Sequence, residues 1–215
     1  MSNRVVIIAG GDLEDDSWHR EFIRADDTVI CADGGSAHAL RMGINPDLVI
    51  GDLDSLPKTD KEALSALNKR VMQYPVAKDK SDLELALEYA VKTEPGEIVI
   101  IGALGGSRVD HCFINLLLLK KPLDENIPAS IIDSKTEIRL FKSSFKMNGQ
   151  PGDIISLFSL TPGVEGLVTE GLKYPLKDEH LHFSSTRGLS NQFTENVASV
   201  SFRKGLLLVI KTRVS

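Results

Sequence analysis

Short runs of β-branched residues alternate with helix-like stretches along the first two thirds of the chain. "RVVIIAG" precedes "SWHREFIRA", and "TVICAD" precedes "GGSAHALRMG". "DLVIGD" and "RVMQYP" follow, then "SDLELALEYAVK", and "EIVIIGAL" leads into "RVDHCFINLLLLKK". The strand-like runs are continuously apolar rather than alternating, as strands buried on both faces are. Such strands separated by helices predict an open parallel sheet covered by helices, an α/β layer domain. After about Ile131 the pattern changes. "IIDSKTEIRLFKSSFKM", "GDIISLFSL", "VEGLVTEGL", "HLHF" and "ASVSFRKGLLLVIKTR" are strand-like segments divided by Gly, Pro, Asn and Asp. They predict a smaller all-β domain, sandwich or barrel-like. The division is drawn as 1–133 and 134–215, and "KMNGQPGD" reads equally well as a hairpin inside the second domain.

Composition narrows the classes of function. With 215 residues, 42% of them apolar, the chain can bury a core without disulfide staples. A net charge of −5 without a long basic run argues against a nucleic-acid surface. Stretches such as "FINLLLL" are far shorter than the roughly 20 residues needed to span a bilayer, and the first residues lack a basic region followed by a cleavage site. A cytoplasmic, non-membrane protein is expected. Cys31 and Cys112 show no C-x-x-C spacing, so neither a disulfide framework nor a thiolate zinc site is suggested. Both read as buried thiols.

Ligands of open parallel sheets sit beyond the carboxyl ends of the strands, and there this chain is unusually polar. "AGGD", "CADGG", "GDLDS", "VAKDKSD" and "GALGGSRVDH" bring Asp33, Asp52, Asp54, Asp79, Asp82 and Asp110 to one rim. Simpler roles exist for several of them. Asp33 before Gly34 suits a helix cap, Asp79 and Asp82 suit a first helical turn, and Lys78 and Lys80 suit a solvated surface. "GDLDS" is harder to explain that way. On an extended strand Asp52 and Asp54 would project to one face about 6.5 Å apart, and a divalent cation relieves the repulsion; Mg²⁺, with its preference for oxygen ligands, suits the role. "GALGGSRVDH" lies between a strand and a helix, where backbone N–H groups meet phosphate, although it is neither a Walker A motif nor G-x-G-x-x-G. Arg108 and His111 add donors, and Asn115 falls on the same helix face as His111. His180 and His182 would share a strand face without a third ligand, and Trp18 reads as a packing residue.

Taken in order, "CADGG", "GDLDS", "DKSDLELAL", "GALGGSRVDH" with Asn115, "GLKYPL" and "STRGLSNQF" resemble the thiamine pyrophosphokinase family over nearly the whole chain. The resemblance implies an α/β ATP-binding catalytic domain followed by a thiamine-binding β domain. It implies transfer of a pyrophosphoryl group from ATP to the thiamine hydroxyl with Mg²⁺, giving thiamine diphosphate and AMP. It also implies a homodimer with the site at the subunit interface. Asp52, Asp54 and Asp82 are implied around the metal and phosphates, with Asp79 beside them and Asp110 near the meeting point of the two substrates. Asp33, Gly34, Lys78, Gly102, Gly105, Arg108 and Asn115 are implied in the ATP region. Tyr174, where some relatives carry Trp, and the pair Ser190 and Asn191 are implied in thiamine recognition. Either Asp79 or Asp110 could accept the hydroxyl proton. A related diphosphotransferase acting on another small alcohol, and a sensor that binds without turnover, are the competing readings.

Overall fold

The first strand, β1 (Arg4–Ile8), is buried at every position, so it can only lie inside a sheet covered on both faces. A computed structural model, which describes residues 3–52, 57, 59, 61–62, 70–74 and 79–214, places it there. β1 pairs in parallel with β2 (Thr28–Ala32) on one side and β5 (Glu97–Ile101) on the other. β3 (Leu48–Gly51) and β4 (Arg70–Gln73) extend the sheet beyond β2, and β6 (Ala129–Ile132) extends it beyond β5. The order is β6-β5-β1-β2-β3-β4, parallel throughout.

Side-chain alternation along the strands sends two apolar sets to opposite faces. Val6, Ile8, Val29, Cys31, Val49, Val99 and Ile101 form one cluster with Ala39 and Met42, which belong to α2 (Gly35–Arg41) and its end; Phe22 of α1 (Asp16–Phe22) packs against it. The other face receives α3 (Asp82–Lys92), which packs on β1, β2 and β3. Its buried residues Leu83, Ala86, Leu87 and Ala90 follow the i, i+3, i+4, i+7 spacing of one helical face. Ser81 caps α3, its hydroxyl accepting the Glu84 N–H at 3.2 Å. α4 (Val109–Leu118) and α5 (Lys120–Asp124) follow β5. The sequence reading ran these two together; the break falls at Leu119, and Pro122 is accommodated in the first turn of the new helix.

At the amino end of this sheet Arg4 and Asp27 form a buried ion pair, with side chains 5% and 0% exposed. Arg4 Nε donates to Asp27 Oδ1 at 2.8 Å, Arg4 Nη2 donates to the Phe22 carbonyl at 3.0 Å, and Asp27 Oδ2 accepts the Arg24 N–H at 2.8 Å.

The chain divides into two units between Ser134 and Lys135. In the second unit β7 (Thr136–Phe141), β14 (Leu207–Thr212), β9 (Ile154–Ser159) and β12 (Asn191–Gln192) form an antiparallel sheet in the order β12-β9-β14-β7. A second antiparallel sheet has the order β11-β10-β13-β8, from β11 (Glu179–His182), β10 (Gly163–Glu170), β13 (Val197–Ser201) and β8 (Phe145–Asn148). Ile155, Leu157 and Val209 from one sheet share a core with Met147, Val164, Leu181 and Val200 from the other, which makes the unit a sandwich.

Two readings of the pattern change. Ile131 and Ile132, grouped by sequence with the β segments, belong to β6 and pair in the parallel sheet. "KMNGQPGD" is not a hairpin: it carries the chain from β8 in one sheet to β9 in the other.

Candidate active site

The connections reverse at the centre of the parallel sheet. The chain leaves β1 toward β2 and leaves β5 toward β6, so the loops after these adjacent strands part and open a crevice at their carboxyl ends. A cavity of about 600 Å³ occupies that place. Its walls are the loop after β1 (Gly10, Gly11), the turn into α2 (Asp33, Gly34), the start of α3 (Ser81, Asp82), the loop after β5 (Gly102, Ala103, Gly105 to Arg108) and the first turn of α4 (His111, Cys112), with Asn115 one turn further on.

Close backbone packing brings these walls together. A Cβ on Gly35 would stand 1.9 Å from the Ile8 carbonyl oxygen, so only glycine lets α2 begin directly against the end of β1. Just before it, Asp33 holds a positive φ of 40°, rare for a non-glycine residue, with its N–H donated to the Ile50 carbonyl at 2.8 Å. The cap position of α2 is Gly34, so the helix-cap role open to Asp33 in the sequence is not the one it takes. His38 Nε2 donates to the Gly11 carbonyl at 2.7 Å, and burial pulls this imidazole below its ordinary pKa, the Gly11 bond opposing only in part. His38 is therefore a neutral tie at pH 7.

Of the residues singled out by sequence, the cavity brings together Asp33, Gly34, Asp82, Gly102, Gly105, Arg108 and Asn115, together with His111. Asp82 stands in the first turn of α3, whereas Asp79 precedes the Ser81 cap and is exposed, outside the helix. Asp52 follows β3 directly, is half-buried and does not line the cavity. Asp54 and Lys78 lie outside the described residues. Asp110 does not line the cavity: it is exposed in the first turn of α4, where Arg108 Nε and Nη2 donate to its two oxygens at 3.0 and 2.7 Å. The guanidinium holds its carboxyl down at a pKa of about 2. Cys112, expected to be buried, is half-exposed at the cavity, its thiol donating to the Gly105 carbonyl at 3.1 Å. Sequence reasoning attaches no chemical role to Cys112 or His38, since each meets backbone brought near only by the fold, and none to Ser81, whose cap on α3 is local.

In the second unit, Asn191 is 6% exposed and its amide is committed to the backbone. Its Oδ1 accepts the Tyr174 N–H at 3.0 Å and the Gln192 N–H at 2.9 Å, and its Nδ2 donates to the Tyr174 carbonyl at 2.7 Å. Asn191 thus anchors the segment that presents Tyr174, a residue 54% exposed with Lys173 Nζ 5.5 Å from its ring centroid. Ser190 has φ +56° and donates its N–H to Ser156 Oγ at 3.0 Å.

Residues 19–131 match the family model of the thiamin pyrophosphokinase catalytic domain, and residues 142–207 match that of the thiamin pyrophosphokinase vitamin B1 binding domain. The chain belongs to the thiamine pyrophosphokinase family. It is 31% identical to the thiamine pyrophosphokinase of Bacillus subtilis strain 168 over 193 residues, 85% of this chain and 86% of that protein. A crystal structure of thiamine pyrophosphokinase from Bacillus subtilis superposes with a TM-score of 0.90 at 30% identity, covering 99% of this chain and 100% of the other. The corresponding figures for the thiamin pyrophosphokinase of Geobacillus thermodenitrificans are 0.87, 29%, 99% and 98%. The two matched segments fall one in each unit, so the crevice lining from Ala32 onward belongs to the catalytic match and Tyr174 to the vitamin-binding match.

The donor set bears on a metal. Among the described residues no three His, Cys, Asp or Glu side chains converge as a complete cage. Two carboxylates, Asp33 and Asp82, nonetheless line one cavity. One or two carboxylates completed by water and phosphate oxygens is the arrangement Mg²⁺ adopts, so these residues fit that ion.

Proposed function

We propose that this chain transfers the pyrophosphoryl group of ATP to the hydroxyl of thiamine, forming thiamine diphosphate and AMP. The observation that carries this reading is the crevice at the β1/β5 switch point, where acids, glycine backbone and Arg108 line one cavity. ATP binds there with its phosphates toward the glycine loop and Arg108, near Gly34, Gly102, Gly105 and Asn115, and Lys78 is its further cation by family resemblance. Asp82 and Asp33 of the cavity would hold Mg²⁺, with Asp52 and Asp54 of "GDLDS" as further ligands by family resemblance, and the ion when bound would offset the charge of the phosphate oxygens.

The remaining chemistry is alignment and proton movement. Arg108 rests on Asp110 in the free protein. Turning the guanidinium toward a phosphate removes the partner that keeps the carboxylate at a pKa of about 2. Asp110 then becomes a stronger base, able to take the proton of the attacking hydroxyl, with Asp79, ahead of the Ser81 cap, as the other candidate carboxylate. Thiamine docks on the second unit. Its cationic thiazolium takes the face of Tyr174 that Lys173 now approaches, and Ser190 contributes to recognition while Asn191 holds the Tyr174 backbone.

A homodimer with the site completed across its interface accords with the apolar surface of α4. Val109, Phe113 and Ile114 are 77%, 61% and 45% exposed in a single chain. The two free thiols accord with a reducing, cytoplasmic setting. Incubation with Mg-ATP and thiamine followed by nucleotide separation tests the reaction. Thiamine-dependent AMP matched by thiamine diphosphate is expected; ADP as the sole nucleotide product, or binding of both substrates without product, would overturn it.

A further inference from the structure

We propose that Asp12 is a positioning residue for nucleotide binding, its carboxylate fixing the Gly105–Gly106 turn that walls the cavity. The loop after β5 has little stiffness of its own, since Gly102, Gly105 and Gly106 all have positive φ, at 66°, 77° and 78°. Contacts from elsewhere hold it. Gly11 N–H donates to the Gly102 carbonyl at 2.7 Å, Asp12 N–H to the Leu104 carbonyl at 3.1 Å, and Asn115 Nδ2 to the Ala103 carbonyl at 2.9 Å. At the far end of the loop the N–H is held instead: Gly106 donates to Asp12 Oδ2 at 2.6 Å, across 94 residues of sequence. The carboxylate sits down on the turn. A Cβ on Gly105 would lie 2.9 Å from both Cβ and Oδ2 of Asp12, while one on Gly106 would meet nothing within 4 Å. Asp12 therefore supports one side of the turn and leaves the other open.

A wall already ordered in the free protein spares the ligand the cost of ordering it. Removing the Asp12 acceptor lowers the fraction of molecules competent to bind ATP. The step that follows binding is untouched. One hydrogen bond of this kind corresponds to about a 3- to 10-fold loss of affinity. Charge alone would act in the opposite direction, because an acid near the polyphosphate repels it.

This inference rests on the β1/β5 cavity being the ATP site, so the experiment carries a control for that reading. Mg-ATP affinity is measured by calorimetry, and kcat and KM for each substrate by AMP release, for the parent, Asp12→Ala, Asp12→Asn and Ala37→Leu; melting midpoints verify folding. Ala37 lines the cavity, and a leucine there obstructs it. Expected are a 3- to 10-fold rise in Kd and KM for ATP in Asp12→Ala, with kcat and thiamine KM within about twofold, and recovery of most of the lost affinity in Asp12→Asn, which keeps an acceptor oxygen. Unchanged or tighter ATP binding in Asp12→Ala, or an Asp12→Asn as weak as Asp12→Ala, overturns the role of Asp12 while Ala37→Leu remains impaired. A folded Ala37→Leu that binds ATP normally overturns the cavity reading instead.

Discussion

Asp27→Asn should destabilise the first unit strongly while leaving catalysis intact. Arg4 and Asp27 are almost wholly withdrawn from water, and Arg4 stays protonated in any accessible pH range, its pKa raised by the Asp27 hydrogen bond. Neutralising the acid leaves a buried guanidinium without its counter-charge, which costs about 3–5 kcal/mol. For a chain of this size each kcal/mol shifts the midpoint by about 2–4 °C, so a fall of about 6–20 °C follows. The chain has one tryptophan, Trp18 in α1, stacked on Phe22 with ring centroids 5.2 Å apart, so fluorescence melting reports the first unit alone. Burial would raise the Asp27 pKa, but the Arg4 bonds and the Arg24 N–H outweigh it and leave the group below its ordinary value. A depressed folded pKa contributes stability that is complete above the unfolded carboxylate pKa and is lost as pH falls through the folded one. The gap between parent and variant should therefore be full at pH 7, begin to narrow below about pH 4 and close only below the depressed folded pKa. Replacing both partners, Arg4→Met with Asp27→Leu, should recover most of the loss. The pair lies at the amino end of the sheet, away from the crevice, so KM for ATP measured well below the midpoint should not move. A shift under about 3 °C at pH 7, or a gap that does not narrow at all as the pH falls below about 4, would refute the reasoning.

Asp82→Asn should lower kcat about 100-fold and raise the Mg²⁺ concentration needed for half-maximal rate, with Trp18 melting unchanged; activity near the parent's at limiting Mg²⁺ would exclude it as a ligand. Tyr174→Ala should raise KM for thiamine about 3- to 30-fold and leave KM for ATP in place, as expected for loss of an aromatic face from a cationic ligand. Phe113→Glu puts a charge on the exposed apolar surface of α4 and should yield a monomer by sedimentation where the parent sediments as a dimer.

The layered architecture was legible because "VVII", "VICA", "LVIG" and "IVII" carry no polar residue, and the apolar spacing of "SDLELALEYAVK" defines a helix. β6 escaped because "ASII" is short, lies behind Pro128 and runs straight into a segment of β character; its parallel pairing depends on β5, some 30 residues earlier. The rim of acids was visible as a set of strand ends, but its internal division was not. Asp33 and Asp82 reach the cavity, whereas Asp110 is taken up by Arg108, an arrangement that depends on how α4 leaves its loop. Asn191 could be named but not understood, since its amide meets Tyr174 only after β11 and its flanking turns intervene. Asp12 stood in plain view in "AGGD", yet its partner lies at Gly106 and nothing local links them.

The contact of Gly35 with the Ile8 carbonyl is between main-chain atoms. Neighbouring side chains can drift through evolution without changing the separation of these two segments, provided one position keeps no side chain at all. A pocket floor built this way is inherited as a shape rather than as a list of residues. Two chains sharing 30% of their residues superpose with a TM-score of 0.90, as main-chain contacts of this kind allow.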